Sequence, residues 1–176
     1  LNTEECIMIL IGNILSFIAA LFLLLSSVFK RKDKIFIFQF FECAALAVAS
    51  FFFGSYAGIS TLLLSAVRNV LIAKNKFTKG LMYVFLVLTA AFGLITNNRG
   101  ILGLMPVIAT VQITLCGCLL DGIIETKLSI AANTAIWVVY SFIIRDYSTA
   151  VTDSVVLAFA VFSAIKSIKT QTTAKI

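Results

Sequence analysis

The chain has 176 residues, 61% of them hydrophobic and 12% charged, with 14 lysines and arginines against 8 aspartates and glutamates and no histidine. Such a balance lies far from the soluble globular norm and reads as an integral membrane protein. The net charge of +6 does not point to nucleic acid, because the basic residues are dispersed in short segments beside apolar runs, where topology and anionic lipid headgroups account for them.

A membrane-spanning helix needs about 20 mostly apolar residues. Seven such runs follow one another, near 7–29, 35–53, 57–73, 80–96, 101–119, 128–144 and 148–166. Between them lie "KRKDK", "GSYAG", "KNKFTK", "NNRG", "DGIIETK" and "RDYST". The runs are continuous rather than alternating, which argues for helices and against a barrel. With one proline, nine glycines and no polar tract, the chain offers no linker, so a single membrane domain over 1–176 is expected. The first run is flanked by Glu4 and Glu5, and it is too long and too acidic at its edge for a cleavable signal. The absent initiator methionine points to a trimmed or engineered start. Lysine and arginine collect in the first and third loops and in the tail (Lys166, Lys169, Lys175). With seven spans these segments share one side, which places the C-terminus in the cytoplasm and the N-terminus outside. The fifth loop, with Asp121, Glu125 and Lys127, breaks the pattern.

Laid against itself, the chain repeats. "SFFFGSYAGISTLLLSAVRNVLIAK" from Ser50 aligns without gaps with "SFIIRDYSTAVTDSVVLAFAVFSAI" from Ser141, matching Ser50 to Ser141, Phe51 to Phe142, Tyr56 to Tyr147, Thr61 to Thr152, Val70 to Val161 and Ala73 to Ala164. The order helix, loop, helix, short outer loop, helix recurs with it. The expectation is an all-α fold of seven transmembrane helices in a 3-1-3 plan: a first three-helix bundle over 7–73, a linker helix over 80–96, and a second bundle over 101–166 of the same hand.

The stretches "SAVRNVLIAK", "VFLVLTAAFGLITNNRGILGLMPVIATV" and "WVVYSFIIRDYSTAVTDSVVLAFAVF" resemble the YgjV-like family of bacterial inner-membrane proteins, over roughly residues 45 to 168. That family is similar in architecture to the SWEET and PQ-loop group of small-solute transporters. The resemblance implies two bundles around a central substrate path, in the bacterial inner membrane. The SWEET pattern carries a sixth-helix tryptophan and tyrosine near a seventh-helix asparagine. Here Trp137 and Tyr140 supply the first two, and Asp153 stands at the asparagine position. In the first repeat the equivalent positions are Leu46 and Leu62, so the symmetric polar pair is missing. Pro106 resembles the group's bundle-bending hinge proline, whereas its counterpart in the first helix is Leu15. These departures argue against a sugar as the substrate.

A charge in the middle of a spanning helix costs about 2.5–3.5 kcal/mol on insertion scales and therefore faces the bundle interior or a wet cavity. Glu42, Arg68 and Asp153 are so placed. Glu42 and Arg68 fall at one level, about 8–10 Å deep at 1.5 Å per residue, on helices joined by a short turn. Either they form an intramembrane ion pair or Arg68 snorkels to the cytoplasmic headgroups. Asp153 lies near the outer surface at the depth of Trp137, with Asn133 one helical turn deeper on the same face. An acid beside an aromatic face suits an organic cation or a proton; the plainer reading is a pair with Arg145 at the mouth. Asn13 and Gln112, like Asn133, line a solute path or act as interhelical hydrogen-bond glue.

Four cysteines without histidine do not make a zinc site, and they read as small apolar fillers. No histidine triad, metal motif or phosphate loop is present, so neither an enzyme nor a cofactor is expected. Two roles of different class remain. One is a facilitator or secondary carrier of a small polar or cationic solute, with Asp153, Trp137, Asn133 and Tyr140 at its site. The other is a non-transporting scaffold, sensor or accessory subunit whose partners are membrane lipids.

Overall fold

The computed structural model describes residues 2–29, 31–119 and 123–173. Its elements are α1 (Thr3–Val28), α2 (Lys32–Phe52), α3 (Tyr56–Ala73), α4 (Lys79–Ile95), a 3₁₀ turn (Leu102–Leu104), α5 (Met105–Leu119), α6 (Ile123–Ile144) and α7 (Tyr147–Thr173). Each apolar run of the sequence falls on one of these helices, and no strand occurs among the described residues.

Local chemistry sets the ends. Asn2 and Glu5 close a reciprocal capping box on α1, the Glu5 N–H donating to Asn2 at 2.8 Å and the Asn2 N–H to Glu5 at 3.2 Å, while Glu4 and Glu5 meet the positive end of the helix dipole. Thr78 caps α4 by accepting from the Leu81 N–H. Residues 123–127, expected as part of a loop, are helix, because α6 begins at Ile123 with Glu125 in its first turn. An acid there suits a helix start as well as it suits a loop. Residues 121 and 122 lie outside the described residues.

Pro106 is the second residue of α5, directly after the 3₁₀ turn, and it is fully buried. There its ring stands in place of an N–H donor at the junction of the 3₁₀ turn and α5. It therefore sets the entry to α5 and does not bend the middle of a helix, as a hinge there would.

The surface is inside-out relative to a soluble protein. Ile101 is 86% exposed, Ile95 79% and Phe159 70%, while Ser16, Ser55, Thr61, Thr110 and Ser141 are buried. This is the distribution of a bundle with lipid outside and small polar residues at helix contacts. Among the described residues three helices are long and apolar enough to cross a membrane: Thr3–Ser26, Asp33–Phe52 and Tyr56–Ala73, with mean hydropathies of 2.7, 2.0 and 1.4. The remaining helices carry shorter apolar stretches, Lys79–Ile95, Leu102–Cys116, Leu128–Ile144 and Tyr147–Phe162.

Consecutive helices pack side by side, α1 on α2 on α3 and α5 on α6 on α7; α1 then meets α7, α3 meets α5, and α4 lies against α3 and α5. The six helices α1–α3 and α5–α7 thus close a ring around a central space. Gly93 brings α4 close to α5, since a Cβ there would collide with the Val107 side chain. Gly12 does the same for α1 and the Phe53 ring, which a Cβ would approach to 2.6 Å.

The gapless register found in the sequence reappears in the backbone. After α2, Gly54 adopts φ +62° and the Ser55 N–H donates to Ser50 O at 2.9 Å; after α6, Arg145 adopts φ +67° and the Asp146 N–H donates to Ser141 O at 2.9 Å. The next helix starts alike, Ile59 N–H to Ser55 O and Ala150 N–H to Asp146 O. Arg145 holds the left-handed conformation without being glycine, at a cost of roughly 1–2 kcal/mol, so the turn is imposed by its surroundings.

Candidate functional site

Those surroundings are a layer of hydrogen bonds that binds each hairpin turn to the other half of the chain. On one side, Asn13 of α1 donates to Arg145 O at 3.0 Å and accepts from the Ser148 N–H at 2.9 Å. Ser16, one turn along α1, donates to Asp146 Oδ2 at 2.8 Å. Asp146 also caps α7, accepting from the Thr149 N–H at 3.0 Å. On the other side, Asn98 donates to Gly54 O at 2.9 Å, Arg99 donates to the Phe53 carbonyl, and Ser55 is hydrogen-bonded to Tyr140. Asp146 sits in the turn between α6 and α7, outside both helices. Burial pushes its carboxyl above the usual carboxylate range, against the pull of the Thr149 and Ser16 bonds.

Beneath this layer the ring encloses a cavity of about 770 Å³, a size suited to a small ligand. At the layer its wall is made of buried Ser50, Ser141, Ile144, Asp146 and Thr149. At the opposite end it is lined by Asn75, exposed in the basic loop between α3 and α4, and by Phe77. The cavity is therefore closed at the turns and reaches the surface beside the basic loops.

Its wall follows the internal repeat. Positions equivalent in the register of Ser50 and Ser141 line it in pairs: Glu42 with Asn133, Cys43 with Thr134, Leu46 with Trp137, Leu62 with Asp153 and Ser65 with Val156. Positions that match in this register thus face the cavity from both halves of the chain.

Of the residues singled out from the sequence, Asp153, Trp137, Asn133, Glu42 and Arg68 all line this cavity. Tyr140 does not. It is 1% exposed and belongs to the core with Ala49, Phe53 and Ile144; it touches the site only through its ring, set edge-on to Trp137 with centroids 6.0 Å apart. Pro106 is likewise off the wall.

The expected Glu42–Arg68 pair takes another form. Among the described residues the side-chain ion pair within contact distance is Arg31 with Asp33. Arg68 instead donates from Nη1 to Thr114 Oγ1 at 2.7 Å and from Nη2 to Asn69 Oδ1 at 3.4 Å, and Asn69 donates to Cys43 Sγ at 3.6 Å. This string ties α2, α3 and α5 together at the level of the two charges. Glu42 lies within electrostatic range of both Arg68 and Asp153. The alternative pairing of Asp153 with Arg145 does not form among the described residues, where Arg145 is exposed.

Asn133 serves two purposes, since its Nδ2 donates to Ala109 O at 2.7 Å while the residue lines the cavity. Gln112 is interhelical glue, donating to Ser129 Oγ at 2.8 Å, and so is Asn13. Among the described residues no group of three or more cysteine, aspartate or glutamate side chains converges as a metal ion would require. Asn69, Thr114 and Asp146 were not singled out from the sequence. Of these only Asp146 carried a signal, as an acid three residues before Thr149 at the start of an apolar run.

No curated protein and no solved structure matches the chain. The sequence model of one family matches residues 10–171, nearly the whole of the chain, and by that match the protein belongs to the Imp-YgjV family of bacterial inner membrane proteins.

Proposed function

We propose that the protein is a carrier for a small polar or cationic solute, working by alternating access between its two repeats. The observation that carries this reading is the cavity between the repeats, sealed at the hairpin turns and reaching the surface beside the basic loops. The positive-inside rule assigns the basic loops to the cytoplasm. In that orientation all seven helices span, the N-terminus is outside, and the geometry corresponds to an inward-facing carrier.

Asp153, Trp137 and Asn133 are the binding residues in this reading, joined by Glu42. A carboxylate and an indole face suit a cationic or ring-bearing solute, and the Asn133 side chain adds an amide for hydrogen bonding. Rocking α1–α3 against α5–α7, with α4 as the linker, would open the turn layer and close the loop end. That motion is the 3-1-3 plan put to use.

Thermal-shift measurements on the detergent-purified protein against nucleosides, vitamins, amines and sugars test the reading, with wild type beside Asp153→Asn. A ligand at 100 times its Kd stabilises by about 2.7 kcal/mol. The expected result is a shift in wild type that Asp153→Asn abolishes. Equal shifts in both proteins would remove Asp153 from the site, and no shift with any compound would favour the scaffold role.

A further inference from the structure

The charges inside the cavity specify more than an affinity for cations. Among the described residues its wall holds three carboxyls, Glu42, Asp146 and Asp153, and one guanidinium, Arg68, while the wall residues from α1, α5 and α6 are uncharged. Cys43, the remaining titratable group, accepts from Asn69. Asp146 is provided for locally by Ser16 and by the N-terminus of α7. Arg68 is anchored on Thr114 and Asn69 on the Glu42 side of the cavity.

Glu42 and Asp153 are different. Neither takes a hydrogen bond from any described residue, and the two lie within electrostatic range of each other across the cavity, one from α2 and one from α7. Two carboxylates in a poorly solvated space repel, and one positive charge placed between them relieves that repulsion. Trp137 lines the same cavity. The site thus offers charge and an aromatic side chain to an occupant.

We propose that Glu42 and Asp153 act together as one exchange site, holding a proton when the cavity is empty and a monovalent organic cation when it is loaded. This rests on the carrier reading and deepens it: the transport cycle becomes an exchange of one cation for one proton. As the cation enters, the carboxyl O–H bond breaks, its electron pair stays on the oxygen, and the proton leaves through the loop end to water. No other bond changes. On the return step a proton takes the cation's place, and the site never crosses with its repulsion uncompensated.

Hydrogen/deuterium difference infrared spectroscopy reads the proton directly, through the C=O stretch of a protonated carboxyl. It is best done on purified protein carrying Asp146→Asn, which removes that carboxyl from the spectrum. The expected result at neutral pH is one protonated-carboxyl band. Glu42→Gln or Asp153→Asn should each remove it, because the surviving carboxyl no longer faces a like charge. Saturating tetraethylammonium or choline should also remove it in the otherwise unaltered protein. Absence of the band at neutral pH, its survival in both isosteric variants, or its indifference to both cations would overturn the exchange site. Failure of the carrier reading registers separately, as proteoliposomes that move none of the solutes while the band and its loss in the variants remain.

Discussion

Replacing Asn13 by alanine tests whether the turn layer is a gate. Asn13 makes two bonds from α1 to the start of α7, to Arg145 O at 3.0 Å and from Ser148 N at 2.9 Å. An interhelical hydrogen bond in a membrane bundle contributes about 0.6 kcal/mol on average, and a donor left without its partner adds about 1 kcal/mol. Losing both bonds and stranding the Ser148 N–H therefore costs about 2 kcal/mol, or roughly 30-fold in the closed-to-open ratio of that end. The protein carries its own reporter, because Cys43 lines the cavity. With Cys6, Cys116 and Cys118 changed to serine, a membrane-impermeant maleimide is applied to right-side-out and everted vesicles. In the parent, Cys43 should label from the side of the basic loops. In Asn13→Ala its labelling rate from the turn side should rise by roughly the same 30-fold. Asn13→Asp keeps the acceptor for Ser148 and loses only the donor, so about 1 kcal/mol and roughly fivefold are expected. If Asn13→Ala lowers thermal stability but leaves the sidedness of labelling unchanged, the layer is structural mortar and the gate lies elsewhere.

Three further outcomes follow from the same contacts. Tyr140→Phe strands the fully buried Ser55 hydroxyl and should destabilise the protein by about 1–2 kcal/mol, read as a lower Tm, while ligand-induced shifts stay as in wild type; a lost ligand shift at unchanged Tm would return Tyr140 to the site. Gly93→Ala forces a methyl into Val107 and should cost about 1–3 kcal/mol, with Val107→Ala restoring much of the loss in the double variant; absence of rescue would mean that α4 and α5 do not meet there. For Asp146 the folded-state carboxyl is raised above its usual 3.8 by burial, so its contribution to stability is full below that value and is lost as pH rises through the folded-state value. Wild-type Tm should accordingly decline over that rise more than the Tm of Asp146→Asn, which keeps a competent helix cap; parallel pH profiles would contradict it.

The helices were legible because a spanning run is a one-dimensional signal: about 20 apolar residues and a charged break locate it without reference to any partner. The start of α6 was not, because Glu125 reads equally as loop and as first-turn acid. The same distinction separates success from failure at the site. Glu42, Arg68 and Asp153, read from the sequence as charges inside spanning runs, all line one cavity. Depth does not fix the direction in which a side chain points around its helix. The sequence leaves Arg68 either paired with the acid on the adjacent helix or reaching for the headgroups, yet α3 also packs on α5, and the guanidinium finds Thr114 there. Tyr140, three residues from Trp137, shares its helix face closely enough for ring contact, but it is turned far enough to meet Ser55 instead. Ser16 and Asp146 are 130 positions apart, and no local pattern links them.

The repeat, legible as a weak alignment, gains physical meaning from the places where it is broken. Equivalent positions around the cavity differ in charge: Glu42 faces the role of Asn133, and Asp153 that of Leu62. Apart from Asp146, which is held at the turn, each half of the chain therefore contributes one acid to the wall, Glu42 on α2 and Asp153 on α7, where strict symmetry would give each half both or neither. In a carrier that rocks one half against the other, the distance between these acids changes with every stroke. Brought together, they need a positive charge between them; drawn apart, each is solvated more easily and holds that charge less firmly. The asymmetry thus ties occupancy of the site to the relative position of the halves. A ligand shifts a two-state equilibrium only by binding one arrangement better than the other, so in the proposed carrier the substitution that spoils the repeat is the one that would let binding drive the motion.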